Sequence, residues 1–279
     1  MSMVAVARKD FQDAVRSRSL WTLSLVFVGL AMLTSYMYIE FPEMLGGEEE
    51  LSGVGLGLFL AGIASLFIGL TAIVIAYKAL AGERELGSMK LLLGLPHTRR
   101  DVVFGKVLGR TATLAIPIVV GFGAAGLYGS LMISEFSFVD YLIFLGLTVV
   151  FALAFVSIVV GISGSTGSTS RASALAVGFF LLFELIWDGV SFGLVYVVNG
   201  FALPETMPNW LYIVNQIPPS SAYTTSMMAL IPDAVVMGDS AAREIEAFYA
   251  TEWLGVVMLV FWIVVPLAIG YRRFSRADL

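Results

Sequence analysis

Six stretches of this chain run about twenty residues or more with almost no charge, at about 20–39, 54–77, 108–132, 139–162, 173–197 and 251–271. A helix rises ~1.5 Å per residue, so each stretch can cross ~30 Å of hydrocarbon. Inside lipid every backbone N–H and C=O must find a partner within the protein, which leaves helices or closed barrels. A barrel needs segments of alternating polarity, and none is present. Charged residues make up 13% of the 279 positions, well short of the ~25% of a soluble domain. The chain is therefore expected to be an all-α polytopic membrane protein with six transmembrane helices in a single domain over 1–279.

Orientation follows from where Lys and Arg fall. Fifteen of the sixteen lie before the first span, in the second and fourth loops, or after the last span, and Arg243 alone lies on the opposite side. The positive-inside rule then predicts both termini in the cytoplasm, in a multi-pass protein of the plasma membrane. No small-residue cleavage site follows the first apolar run, so no cleavable signal is expected. The 1–19 segment, with Arg8, Lys9, Arg16 and Arg18 among Val4, Val6 and Phe11, suits a cytoplasmic interfacial helix. The other face is acidic, with Glu40, Glu43, Glu48, Glu135, Asp140 and Asp233 among its residues. Residues 198–250 form the one large extracytoplasmic segment. Its prolines predict short helices broken by turns, and Trp210, Tyr212 and Tyr223 are expected at the membrane interface.

Several features could carry function. Gly53, Gly57, Ala61, Ser65 and Gly69 recur every fourth position of the second span, a stripe that lets helices approach closely. It fits either packing within the chain or a seam between subunits. Glu184 and Asp188 stand four apart in the fifth span, on one face of an α-helix, where charge is costly and usually faces protein or water. They are either an intramembrane polar site or residues wetted at the outer interface.

Other chemistry is poorly supplied. There is no cysteine and one histidine, His97, so neither a metal site nor a thiol nucleophile can be assembled. No catalytic residue is identifiable. The loop GSTGSTSRAS at 164–173 is not a phosphate loop, because no G-x-x-x-x-G-K-[ST] occurs anywhere. If ATP drives this protein, another chain must bind it.

The most charge-dense stretch, ERELGSMKLLLGLPHTRRDVVFGK, lies at 83–106 inside the 78–107 loop. Residues 83–95 are helix-compatible, with Gly94 and Pro96 as stop signals. Thr98 is a candidate N-cap with Asp101 three residues on, and a second helix from Arg99 to Lys106 should flow into the third span. The loop is thus expected to be two short helices around an elbow at Leu95-Pro96-His97.

The run from Tyr77 to Arg110 resembles the cytoplasmic coupling segment of ABC-2-type exporter permeases. The residues that carry the resemblance are Glu83-Arg84-Glu85, Gly87-Ser88, Leu91-Leu92-Leu93, Pro96 with Arg99 three on, and Gly105-Lys106. It extends more weakly to the six-span layout, the interfacial helix, the serine-rich fourth loop and the Pro218-Pro219-Ser220 turn. Size and layout look closest to the NosY-like branch, associated with copper delivery to nitrous oxide reductase. This implies an ABC-2, type V exporter-like permease that pairs with a second permease copy, or with a similar subunit, and binds two copies of an ABC ATPase subunit. ATP and Mg would then be held by the partner, with no cofactor on this chain, no catalysis of its own and no nucleic acid. An extracytoplasmic protein is a further partner in the NosY-like branch. The resemblance implies ATPase coupling through Glu83, Arg84, Glu85, Gly87, Leu91, Leu92, Pro96, Arg99 and Lys106.

Two other classes stay in view. An ion-coupled carrier could use Glu184 and Asp188 without an ATPase, though no inverted repeat is visible. An intramembrane hydrolase would need a nucleophile and base that the chain does not place together.

Overall fold

A computed structural model describes residues 3–41, 51–87, 98–204, 206–231, 233–234 and 249–277. Interfacial α1 (Met3–Val15) leads into α2 (Arg18–Glu40), followed by α3 (Gly53–Ala76) and the short α4 (Ala81–Glu85). Then come α5 (Arg99–Met132), α6 (Phe138–Ser165) and α7 (Thr169–Phe180). A π-helical turn (Leu181–Ile186) joins α7 to α8 (Trp187–Val198), and the outer segment holds α9 (Trp210–Asn215) and α10 (Pro219–Leu230). The chain closes with α11 (Trp253–Ser275). Six of the segments are long and apolar enough to cross a bilayer. The fold is the expected all-helical, multi-pass one.

Local sequence explains several ends. Ser52 caps α3 by accepting from Gly55 N. Thr98 and Asp101 form the anticipated capping box, and α5 then runs unbroken from Arg99 through the third span. The expected helix over 83–95 is not found as such. α4 stops at Glu85, with Leu86 as its C-cap and Gly87 at φ +70°, the left-handed conformation that glycine adopts without a Cβ clash. Residues 88–97 lie outside the described residues.

Lipid tails are as apolar as leucine, so helix association depends on close packing and polar ties. α6 is the hub. It packs on α3, α5, α7, α10 and α11, and 67% of its apolar window is buried, against 17% for the fifth span. Its seam with α11 brings backbone against backbone. There Gly161 faces the backbone of Pro266, and Gly270 faces the backbone of Gly161, so neither position has room for a Cβ.

The small stripe of α3 is filled from within the chain. Gly53 faces Phe136, Gly57 faces Phe144, and Gly69 sits against Phe180 and Phe155. Ala61 and Ser65 are buried, and Ser65 donates to Gly62 O at 2.8 Å. The stripe is therefore a set of notches for aromatic rings inside one subunit.

The 198–250 segment does form short helices, and α10 is packed into the bundle. It packs on α6 and α11, with Tyr223 fully buried, stacked on Phe151 at 4.6 Å, and its hydroxyl 2.6 Å from Thr148 Oγ1. A tyrosine with a buried hydroxyl partner gains more there than at a wet boundary.

Candidate functional site: the charged end of the bundle

At the Lys/Arg-rich end, elements distant in sequence converge on one ionic cluster. Lys106, in the second turn of α5, directs Nζ to Glu83 Oε1 of α4 at 2.6 Å and to Asp10 Oδ1 of α1 at 3.0 Å. Arg110, one turn on, grips the same aspartate. Its Nη2 donates to Oδ1 at 3.0 Å and its Nε lies 2.8 Å from Oδ2. The Asp10 side chain is 4% exposed. A carboxylate so desolvated is tolerable because two cations meet it, both donating to Oδ1.

Two glycines make this contact possible. A Cβ on Gly105 would meet Val6 and Met3 O, and one on Gly109 would meet Asp10 and Ala7 O, all within about 3 Å. α1 lies in the trough they leave. The run GKVLGR (105–110) therefore alternates a notch for a helix with a cation for its aspartate.

α4 is seated by the last turn of α6 and the start of α7. Ser163 Oγ accepts from Leu80 N at 3.1 Å and Ala81 N at 3.0 Å, and donates to Tyr77 O at 2.7 Å. It satisfies amides that a helix start leaves without intrahelical partners. Arg84 Nη1 donates to Thr166 O at 3.0 Å, and Thr169 N donates to Glu85 Oε2 at 2.9 Å. The serine-rich loop is thus a socket for α4.

The start of α5 is fixed to the end of α11. Arg99 Nη1 lies 2.8–3.0 Å from Phe274 O, Ser275 O and Ala277 O, and its guanidinium sits over the Phe274 ring. A cation on the last carbonyls of a helix meets the negative end of its dipole.

The predicted coupling residues divide into three groups. Glu83, Arg84, Glu85, Arg99 and Lys106 are brought together at one end, where each side chain ties its element to another; Glu85 does so while exposed. Gly87 is exposed and ends α4. Leu91, Leu92 and Pro96 lie outside the described residues, as does His97. Sequence reasoning passed over Asp10, Arg110, Ser163 and Thr166. The Gly-cation pairs four apart in GKVLGR were the available signal for the first two.

Glu184 and Asp188 differ in their surroundings: Glu184 belongs to the π turn and Asp188 to the first turn of α8. Glu184 Oε1 accepts from Ser220 N at 3.4 Å at the start of α10, while Asp188 is exposed. Beside them Trp187 Nε1 donates to Val214 O at 2.9 Å, so this stretch ties the fifth span to the outer segment. Further out, Tyr212 donates to Thr251 O at 3.0 Å. Burial, with Glu252 nearby, pushes its hydroxyl up to about 12, so it stays a donor at neutral pH. Among the described residues no three His, Asp or Glu side chains converge as a metal site.

Comparison with known proteins agrees with this architecture. The family model described as "ABC-2 family transporter protein" matches residues 4–279. The chain is 29% identical over 277 residues to the "Probable ABC transporter permease protein NosY" of Stutzerimonas stutzeri, covering 97% of each chain. It is 27% identical over 278 residues to the protein of the same name from Pseudomonas aeruginosa strain PAO1, again covering 97% of each. A polytopic helical bundle with a family match over almost its whole length places this chain in the ABC-2 transporter family, as a membrane permease subunit.

Proposed function

We propose that the charged end is where a separate ABC ATPase acts on this chain, and that it faces the cytoplasm. The single observation behind this reading is the Asp10–Lys106–Glu83 cluster, with Arg110 beside it. It links α1, α4 and α5, while Ser163 and Arg99 add the end of α6 and α11. A push on the 78–107 segment then reaches four of the six spans as one rigid unit. The segment carries no phosphate-binding sequence of its own, so ATP and Mg belong to the partner.

Two ATPase copies and a second permease copy complete the assembly, as the ABC-2 resemblance implies. The NosY-like resemblance implies an additional protein on the acidic, extracytoplasmic side. The experiment is reconstitution of the co-purified complex. Charge reversal by Glu83→Lys, Arg84→Glu or Arg99→Glu should lower stimulated ATP hydrolysis while membrane insertion persists. Undiminished stimulation in all three variants would remove the assignment.

A further inference from the structure

α6, α7 with its π turn, and α11 leave a groove between them at the charged end, with a volume of about 610 Å³. Its wall is apolar along most of its length, from Ile158, Phe179, Phe183, Trp262 and Pro266, and it ends at Arg273. The deep end is an aromatic floor, where the Phe179 and Phe183 rings meet Trp262 edge-on at 5.1 and 5.3 Å. From Phe261 to Arg273, α11 rises ~18 Å. That matches ~15 Å, half the hydrocarbon thickness of a bilayer. The groove therefore spans one leaflet, from near the midplane to the head-group level.

Arg273 at the mouth is exposed and makes no ion pair among the described residues. Ser165, the last residue of α6, lines the same groove. An apolar channel one leaflet long, with an unpartnered cation at its polar end, has the chemistry of a phospholipid turned inside out. Basic pockets between membrane helices hold anionic head groups for the same reason.

We propose that this groove binds an acyl chain of an anionic phospholipid, with the phosphate on Arg273. The lipid fills space that the fifth span leaves open against α11, and so sets the distance between those two helices. This does not depend on the ATPase reading. It needs only the groove and its charge.

Gly178 lines the groove, and a Cβ there meets nothing within 4 Å, so Gly178→Leu fills the channel without a clash. The test is native mass spectrometry of the full chain in detergent, with added phosphatidylglycerol or phosphatidylcholine of identical acyl chains. The wild type should retain phosphatidylglycerol over phosphatidylcholine by about fivefold, the worth of one cation near a membrane surface. Arg273→Glu should remove that preference, and Gly178→Leu should reduce retention of both lipids. Retention of phosphatidylglycerol by Arg273→Glu at the wild-type level overturns the proposal. So does Gly178→Leu that keeps its lipid but loses self-association, which would give the groove to a second copy of the chain.

Discussion

Glu83 and Lys106 meet at 2.6 Å across 23 residues of sequence, and the same ammonium reaches Asp10 on α1 at 3.0 Å. One lysine thus closes the two ends of the 78–107 segment on each other and onto the interfacial helix. Lys106→Met removes the shared counter-charge and leaves Glu83 without it. Loss of one partner from a buried ionic cluster costs roughly 3–5 kcal/mol, and Arg110 on Asp10 keeps this case toward the lower end. The expected outcome is a clear fall in the thermal midpoint of the purified protein, measured by intrinsic fluorescence. A midpoint equal to wild type would mean that the cluster does not hold these elements together.

Ser163→Ala tests the socket for α4. The substitution strands the amides of Leu80 and Ala81, which the hydroxyl now accepts at 3.1 and 3.0 Å. An unsatisfied buried donor costs roughly 1–3 kcal/mol, so local opening should rise by about tenfold or more. Hydrogen exchange at those two amides reads this directly. Exchange as slow as in wild type would contradict the assignment.

Gly161→Ala should separate α6 from α11, because the new methyl falls on the Pro266 carbonyl. Overpacking of this kind costs roughly 1–3 kcal/mol. Gly146→Ala, on the same helix with nothing within 4 Å of its Cβ, is the control and should be neutral or slightly stabilising. Equal stability of the two variants would show that the close seam is not required.

Glu184→Leu and Asp188→Leu should differ, although the sequence presents them as a pair. Only Glu184 accepts from Ser220 N, and Asp188 is exposed. Removing the acceptor should speed exchange at the Ser220 amide by roughly fivefold, about the worth of one net hydrogen bond. Asp188→Leu should leave that amide as it is. The same response to both substitutions would mean that the Glu184 carboxylate does not hold the Ser220 amide.

Much of this molecule was legible in the order of its residues. The six spans follow from apolar run length, because a bilayer fixes how much helix it takes to cross. The capping box at Thr98 and Asp101 was visible because it is local, and both halves were found. The helix expected over 83–95 was misjudged at Gly87, a C-terminal glycine that a helix-compatible pattern hides. The π turn that holds Glu184 leaves no mark in periodicity. Sequence reports that Tyr223 is amphipathic, not that Thr148 waits for its hydroxyl. The tethers of Arg84, Arg99 and Asp10 join residues 82 to 178 positions apart, a separation that no local pattern encodes.

The claim that the charged end is the docking side for an ATPase can be tested with a single introduced thiol, because the chain contains no cysteine. Leu86, at the end of α4, is 83% exposed, and Phe201, past α8, is 68% exposed. In native membranes a bifunctional thiol–amine cross-linker should join Leu86→Cys to a chain that also takes an ATP photoaffinity label, whereas Phe201→Cys should give no such adduct. An ATP-labelled adduct from Phe201→Cys and none from Leu86→Cys would contradict the account.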